Sequence, residues 1–439
     1  MKIFEVTTPD DMKAARAFLE NCASRNASDS TENSREASVR EIVDAVRTGG
    51  DAALSEYTER FDGVALNPSQ FELTKAEIEK AANLVPKHVI AMLERAQENI
   101  RLFHSRNLRE SWEESAADGS MYGQRVTPIE SAGVYVPGGK AFYPSSVLMN
   151  IVPARVAGVK EIVMVSPPSY EGSIHPAVVA AAKLAGATRV FRVGGAQAVA
   201  ALAYGTESVP AVVKITGPGN AYVTAAKAMV RGAVDIDSEA GPSEVAVIAD
   251  KKANPVHVAA EMLAQAEHDE DAMCLLFTPS RELADATRNR LKERAPLMKR
   301  AAIIEKSLDR FGAIFIVPDM DTAIALTNFV APEHLSIQTE YAQQIADKII
   351  NAGAIMLGAM TPVAVGDYYA GPNHILPTMR RARYSSPLSA EDFRKVTNVM
   401  FYSRERLMRD AHDIEAMATL EGLEAHAESV TVRVKDVRS

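Results

Sequence analysis

Cysteine is almost missing: only Cys22 and Cys274 occur in 439 residues. Two thiols so far apart build no disulfide framework, and they exclude a cysteine-rich zinc site. No apolar run reaches the roughly 20 residues that a membrane-spanning helix needs. The opening MKIFEVTTPDD lacks the basic-then-apolar layout of a signal peptide. An excess of positive charge is absent as well. The 48 basic and 57 acidic side chains leave a net charge of −9, which points to neither a nucleic-acid nor a membrane partner. A reducing cytoplasm is therefore the expected compartment. Low-complexity tracts and short fixed repeats are lacking too. What remains is ordinary for a globular chain, 47% hydrophobic and 24% charged, at a length that favours two or three domains.

To about residue 125 apolar residues recur at helical spacing, as in HVIAMLERAQENIRLFHSRNL (88–108). The Ser/Asn-rich stretch 23–40 reads as a loop or a helix start, and FELT (71–74) as a candidate early strand. From about Ala132 short apolar runs alternate with amphipathic stretches. The runs are GVYVPGG, EIVMVSPP (161–168), VFRVGG (190–195), VVKITGPGN (212–220), EVAVIAD, CLLFTPS, AIFIVPD and AIMLG. This alternation predicts α/β domains with mainly parallel sheets. Beyond about residue 389 the pattern returns to helix and closes with a strand-like SVTVRV.

Three of the predicted strands end in glycine: Gly138-Gly139, Gly194-Gly195 and Gly217-Pro218-Gly219-Asn220. Each alone reads more readily as a tight turn. Three in succession point to a nucleotide crevice at the carboxyl ends of the strands, where backbone N–H groups and helix N-termini receive phosphate. None matches the usual dinucleotide fingerprint or a P-loop.

The polar chemistry is concentrated in four segments. AQAEHD (264–269) places Gln265 and His268 one helical turn apart, so both reach one ion if the helix continues. APEHL (331–335) sets Glu333 beside His334 just after Pro332, where a break lets adjacent side chains serve one site. GDYYAGPNH (366–374) adds Asp367, at a position where a sheet presents residues to a ligand, and His374. GLEAH (422–426) adds His426, with Glu421 before a glycine that breaks the helical alignment. A histidine near neutral pH serves as a base, and a neighbouring carboxylate activates water. Asp with two histidines makes a nitrogen and oxygen zinc shell. Each piece alone also suits a surface or structural role.

In order along the chain, QRVTPIESAGVYVPGGKAFYPSSVLMN, VGGAQAVAALAYGTE, KITGPGNAYV, DIDSEAGPSEVAVIAD, QAEHD, APEHL, GDYYAGPNHILPT and LEGLEAH resemble the histidinol dehydrogenase family. The resemblance implies oxidation of L-histidinol to L-histidine through L-histidinaldehyde, the end of histidine biosynthesis, with two NAD, one water and one zinc per site. It implies zinc held by Gln265, His268, Asp367 and His426, the last from the partner of a homodimer. Glu333 would activate water and His334 would take the alcohol and hydrate protons. Ser243, His374 and Glu421 match substrate-contacting positions, as do Gln265, His268, His334, Asp367 and His426. Tyr135, Gln197 and Asn220 match NAD-contacting positions.

The fold implied is two Rossmann-like parallel-sheet domains, a helical N-terminal region and a small helical and strand tail. The expected divisions are an arm at 1–30, a main domain of 31–134 with 245–388 carrying zinc and the catalytic residues, an NAD domain at 135–244, and a dimerisation tail at 389–439. One stretch departs from the family. After LPT it often has small residues such as Gly-Gly-Thr, whereas this chain reads MRRARYSSPLS (379–389). Arg380 and Arg381 are expected to face solvent. Otherwise they would suit an anionic alcohol such as sulfopropanediol, the substrate of related enzymes. A zinc hydrolase using Glu333 is the competing reading from another class, and the glycine loops speak against it.

Overall fold

The computed structural model describes residues 1–25, 29–106, 108–138, 142–239 and 241–438. Gly139, and residues 26–28 of the Ser/Asn-rich stretch, lie outside the described residues. Contacts divide the chain into two units, residues 1–106 with 130–393, and residues 107–129 with 394–439.

The larger unit begins with β1 (Lys2–Glu5) and α1 (Pro9–Ala23). The Thr8 hydroxyl accepts the Asp11 N–H and the Asp11 carboxylate accepts the Thr8 N–H, a reciprocal cap worth about 1 kcal/mol. Helix α2 (Asp29–Asp62) is two helical stretches broken at Gly50, where φ is 54°. Helices α3 (Lys75–Leu84) and α4 (Lys87–Ser105) follow. The stretch at FELT makes only an isolated bridge, Glu72 to Phe191. The smaller unit then takes β2 (Trp112–Ser115) and β3 (Met121–Pro128).

Back in the larger unit, β4 (Ser131–Tyr135), α5 (Pro144–Ala157), β5 (Glu161–Val165), α6 (Pro176–Ala185) and β6 (Arg189–Phe191) come in turn. Then come α7 (Gly195–Tyr204), β7 (Lys214–Thr216), α8 (Ala221–Val230) and β8 (Asp235–Ile236). The five strands form a parallel sheet in the order β6-β5-β4-β7-β8. Chain order therefore reverses between β4 and β7, the switch point of a doubly wound sheet.

A second sheet repeats this plan. Its parts are β9 (Glu244–Ala249), α9 (Pro255–Ala266), β10 (Met273–Thr278), α10 (Arg281–Arg294), α11 (Ala301–Arg310) and β11 (Gly312–Ile316). They continue with α12 (Met320–Val330), β12 (His334–Gln338), α13 (Ala342–Ala346), β13 (Ala354–Leu357) and α14 (Val363–Tyr368). The order is β1-β11-β10-β9-β12-β13, all parallel, with the reversal between β9 and β12. β9, β10 and β12 are buried along their whole length, which is why β9 and β10 read as apolar runs, whereas HLSIQ of β12 carries polar residues and does not. Cys22 and Cys274 are free thiols in this core, and burial pushes both up to about 12.

The expected α/β class with two Rossmann-like parallel sheets is what the chain adopts. Within the expected arm at 1–30, β1 pairs with β11 and Phe4 stacks on Phe315 with ring centroids 4.9 Å apart. The expected 31–134 segment falls in the larger unit up to Arg106, together with 245–388, and in the smaller unit over 107–129. Its long α2 packs on α7 and α8, burying Val39, Val46 and Leu54 against the five-stranded sheet.

The smaller unit is built from two chain segments, 107–129 and 394–439. Strand β14 (Arg394–Phe401) and β2 flank β3 in an antiparallel sheet. Helices α15 (Arg404–Leu420) and α16 (Glu424–Arg438) pack on each other. The expected strand SVTVRV lies inside α16, where packing on α15 overrides the β-branched preference. Gly422, at φ 72°, ends α15. Its N–H donates to Thr419 and that of Leu423 to Ala418, a left-handed cap that suits glycine.

Candidate active site

Strands β9 and β12 run side by side with His334 in register with Val245. Their amino ends bring Glu244 next to Glu333 and His334, all three buried. The Glu244 N–H donates to Glu333 Oε2 at 2.8 Å, and the Glu333 N–H donates to Glu244 Oε2 at 3.2 Å. His334 Nδ1 donates to the Glu244 main-chain oxygen at 3.1 Å, and Nε2 lies 3.1 Å from Asp367 Oδ1. Both ring nitrogens therefore face oxygen acceptors. Burial disfavours charge on this ring, but Glu333 and Asp367 outweigh it and hold the imidazole well above its ordinary value.

Asp367 belongs to α14. Its N-terminal Val363 N–H donates to the buried Glu261 carboxylate at 2.9 Å. This short helix carries the aspartate to the amino ends of β9 and β12, not to the carboxyl ends where a sheet of this kind usually presents ligands. Burial raises the Asp367 carboxyl, yet the His334 hydrogen bond and the charges of His334, His374 and His268 leave it lowered. His374 Nδ1 donates to the Asp367 main-chain oxygen at 2.8 Å, and its Nε2 lies 3.3 Å from Ser146 Oγ. Burial holds the His374 ring below its ordinary value, so it is the neutral partner and accepts from the Ser146 hydroxyl.

Gln265 is buried at the end of α9 and makes no side-chain hydrogen bond among the described residues. His268 is not on that helix as expected. α9 stops at Ala266 and His268 follows in a turn, its N–H donating to the Gln265 carbonyl at 3.2 Å. Among the described residues no three His, Cys, Asp or Glu side chains form a ready metal cluster. The candidate donors in this unit are a free amide, Gln265, with His268 and Asp367 within electrostatic reach of each other. Such a set suits a metal but is one ligand short. Glu421 and His426 belong to the smaller unit, where Glu421 caps α15 and both are exposed. Ser243 immediately precedes β9, and its carbonyl accepts the Met273 N–H.

The glycine turns lie at the other sheet's carboxyl ends. The Tyr135 hydroxyl, at the end of β4, accepts the Gly195 N–H at 3.1 Å. Burial pushes that phenol up to about 12. Gln197 is 1% exposed, and neither of its amide atoms has a partner among the described residues. A buried orphan amide is costly unless something bonds to it. Asn220 caps α8 through Oδ1, accepting the Tyr222 and Val223 N–H groups. A Cβ on Gly217 would sit 2.0 Å from the Tyr135 carbonyl oxygen, and one on Gly194 would sit 2.4 Å from Pro167 Cβ. These two glycines are required for packing, whatever else they do.

Several residues here escaped the sequence reading. Glu244 and Arg25 form a fully buried ion pair of 3.0 Å. Ser146 and Glu261 hold His374 and α14. Only Glu261 left a signal, a lone carboxylate in the apolar PVHVAAEML, four residues before Gln265. Arg380 and Arg381 are not simply solvated: the Arg380 guanidinium lies 4.5 Å from the Phe329 ring centroid, and Arg381 pairs with Glu239 at 2.9 Å.

Comparison with known proteins agrees along the whole chain. The family model "Histidinol dehydrogenase" matches residues 24–434. A Synechococcus histidinol dehydrogenase is 48% identical over 419 residues, covering 95% of this chain and 96% of the relative. One from Syntrophotalea carbinolica is 51% identical over 401 residues, covering 91% and 93%. The crystal structure of histidinol dehydrogenase from Elizabethkingia anophelis superposes with a TM-score of 0.91 at 33% identity, covering 100% of this chain and 99% of that one. With a buried glutamate–histidine pair at the amino ends of β9 and β12 and glycine turns at the carboxyl ends of the other sheet, this chain belongs to the histidinol dehydrogenase family.

Proposed function

We propose that the protein oxidises L-histidinol to L-histidine through L-histidinaldehyde, with NAD as hydride acceptor and zinc in the site. The observation that carries this reading is the buried Glu333–His334 pair beside Asp367, in a chain about half identical to named histidinol dehydrogenases.

Gln265, His268 and Asp367 would hold zinc, with His426 of the partner subunit completing the set in a homodimer. Bound there, the metal would orient the substrate's nitrogen atoms or act as a Lewis acid on its oxygen. His334 keeps Nδ1–H committed to the Glu244 carbonyl, so Nε2 is its exchangeable position. Once Asp367 is engaged elsewhere, Nε2 loses its carboxylate partner and is released to take the alcohol proton and later the hydrate proton. Glu333 has Oε2 tied to the Glu244 N–H and Oε1 without a partner among the described residues, which suits water activation. Ser243, His374 and Glu421 would contact substrate alongside the metal donors and His334. His374, held neutral between Ser146 and Asp367, offers a fixed hydrogen-bonding edge.

NAD would lie across the β4–β7 switch point against Tyr135, Gln197 and Asn220. The Gln197 amide, unpaired among the described residues, supports this, since a bound nucleotide would satisfy it. We place the enzyme in a reducing cytoplasm, in keeping with two free thiols. The partnered state of Arg380 and Arg381 favours histidinol over an anionic alcohol. The deciding assay is NADH formation with L-histidinol and with sulfopropanediol. Turnover of histidinol alone is expected, and turnover of the sulfonate alone would overturn the reading.

A further inference from the structure

Arg25 lies just beyond α1 with its side chain fully buried. Its Nε donates to the Asp271 carbonyl at 2.8 Å, and its terminal nitrogens donate to the carbonyls of Cys22 and of Pro242, the latter at 2.7 Å. The remaining contact is the ion pair with Glu244 Oε1. The Glu244 carboxylate is just as buried. It also accepts the Met379 N–H at 2.9 Å and the Glu333 N–H at 3.2 Å. The main chain of the same residue holds Glu333 Oε2 through its N–H and His334 Nδ1 through its carbonyl. One residue thus grips the glutamate by backbone and carboxylate, and the histidine by its ring.

A carboxylate this deep is expensive unless a cation is fixed against it, and Arg25 is the cation paired with it. The guanidinium is fastened to three main-chain oxygens, so it cannot follow Glu244 if that residue moves. The Glu244 anchor is therefore rigid. We propose that Arg25 and Glu244 are positioning residues for Glu333 and His334: Arg25 fixes Glu244, and Glu244 aims Glu333 Oε1 and His334 Nε2 at the reacting atoms. Neither touches substrate. The inference rests on the histidinol reading above, and it assigns a function to the N-terminal stretch that no candidate motif reached.

A purely structural ion pair would cost stability and leave the folded enzyme's turnover intact. A positioning pair would lower turnover in protein that is still folded. The test compares wild type with Arg25→Lys, Arg25→Met and Glu244→Gln as zinc-loaded full-length protein. Each is assayed with L-histidinol and with L-histidinaldehyde, and kcat is expressed per folded, metal-bound site. Loss of outer-contact partners of this kind lowers activity about 10- to 100-fold. The expected result is a loss of that size in kcat for Glu244→Gln and Arg25→Met, with the KM for NAD within about threefold and partial recovery in Arg25→Lys. Wild-type kcat with a lowered melting temperature would overturn the proposal. If Arg25→Met does not fold, Glu244→Gln and Arg25→Lys decide by the same criterion. If wild type fails to oxidise histidinol, it is the functional reading that falls. Positioning is then judged from crystal structures of wild type and Glu244→Gln, in which displaced Glu333 and His334 side chains support it and unchanged ones refute it.

Discussion

Asp367 holds His374 by its main-chain oxygen, 2.8 Å from Nδ1, while its carboxylate faces His334 at 3.1 Å. One residue thus serves two histidines through two independent groups. Asp367→Asn keeps the backbone bond and removes only the charge. Zinc content and kcat should both drop by about tenfold or more while the fold persists. Metal analysis of the purified variant checks this, and full zinc occupancy would contradict the ligand assignment.

Glu333→Gln keeps the hydrogen bond from the Glu244 N–H but cannot accept a proton from water. The aldehyde-to-acid half should slow by about 10²-fold or more, well beyond the alcohol half. Separate assays started from histidinol and from histidinaldehyde report the two halves. Equal losses would remove the water-activating role.

His426→Ala should reduce zinc affinity and raise the KM for histidinol about tenfold. A mixed dimer adds a sharper readout. His426→Ala chains combined with Glu333→Gln chains should turn over faster than either variant alone if each site draws on both protomers. No gain at any mixing ratio would place His426 in its own chain's site.

His104 is 5% exposed, and burial drives its ring down to about 4, against the opposing charge of Asp392. The folded value lies below the unfolded one, so the folded state resists protonation. Its stability is fully present above about pH 6.5 and is lost as pH falls toward 4, by up to roughly 3 kcal/mol. Urea unfolding of wild type and His104→Phe from pH 4 to 8 should show a stability difference that is constant above pH 7 and shifts against wild type in acid. A difference independent of pH would exclude the effect.

Met379 and Arg380 both adopt left-handed backbone, at φ 54° and 63°, where the family often has glycine. A non-glycine residue pays about 1 kcal/mol there. Arg380→Gly relieves that strain and loses the contact with Phe329, so the net change should stay within about 1 kcal/mol. Arg380→Val should destabilise by more, because a β-branched residue fits this region worst. Thermal melts that rank valine above glycine would disprove the strain.

Legibility in the sequence followed burial. The parallel strands announced themselves because EVAVIA and MCLLFT are covered on both faces. The antiparallel sheet of the smaller unit gave no such run: in RKVTNVMF no residue is fully buried, so period and polarity carry little information. The candidate donors and the Glu333–His334 pair were visible because their residue types are chemically unusual. Their supports were not. Arg25 looks like any surface arginine in a polar stretch, and its partner stands 219 residues away. Glu244 sits in a strand whose hydrophobic neighbours disguise it. Pairings of that kind are set by strand order and register, which local pattern does not encode.

The two thiols have a practical corollary. With both sulfurs enclosed and about 12 in pKa, the native chain is close to inert toward maleimides and similar reagents at neutral pH. A cysteine introduced at a solvent-facing position such as Leu420, which is 89% exposed, would label almost alone. Distance probes on the smaller unit could then be attached without first stripping the wild-type sequence of its own sulfur, so the proposed dimer and metal site could be tested in an otherwise unaltered enzyme.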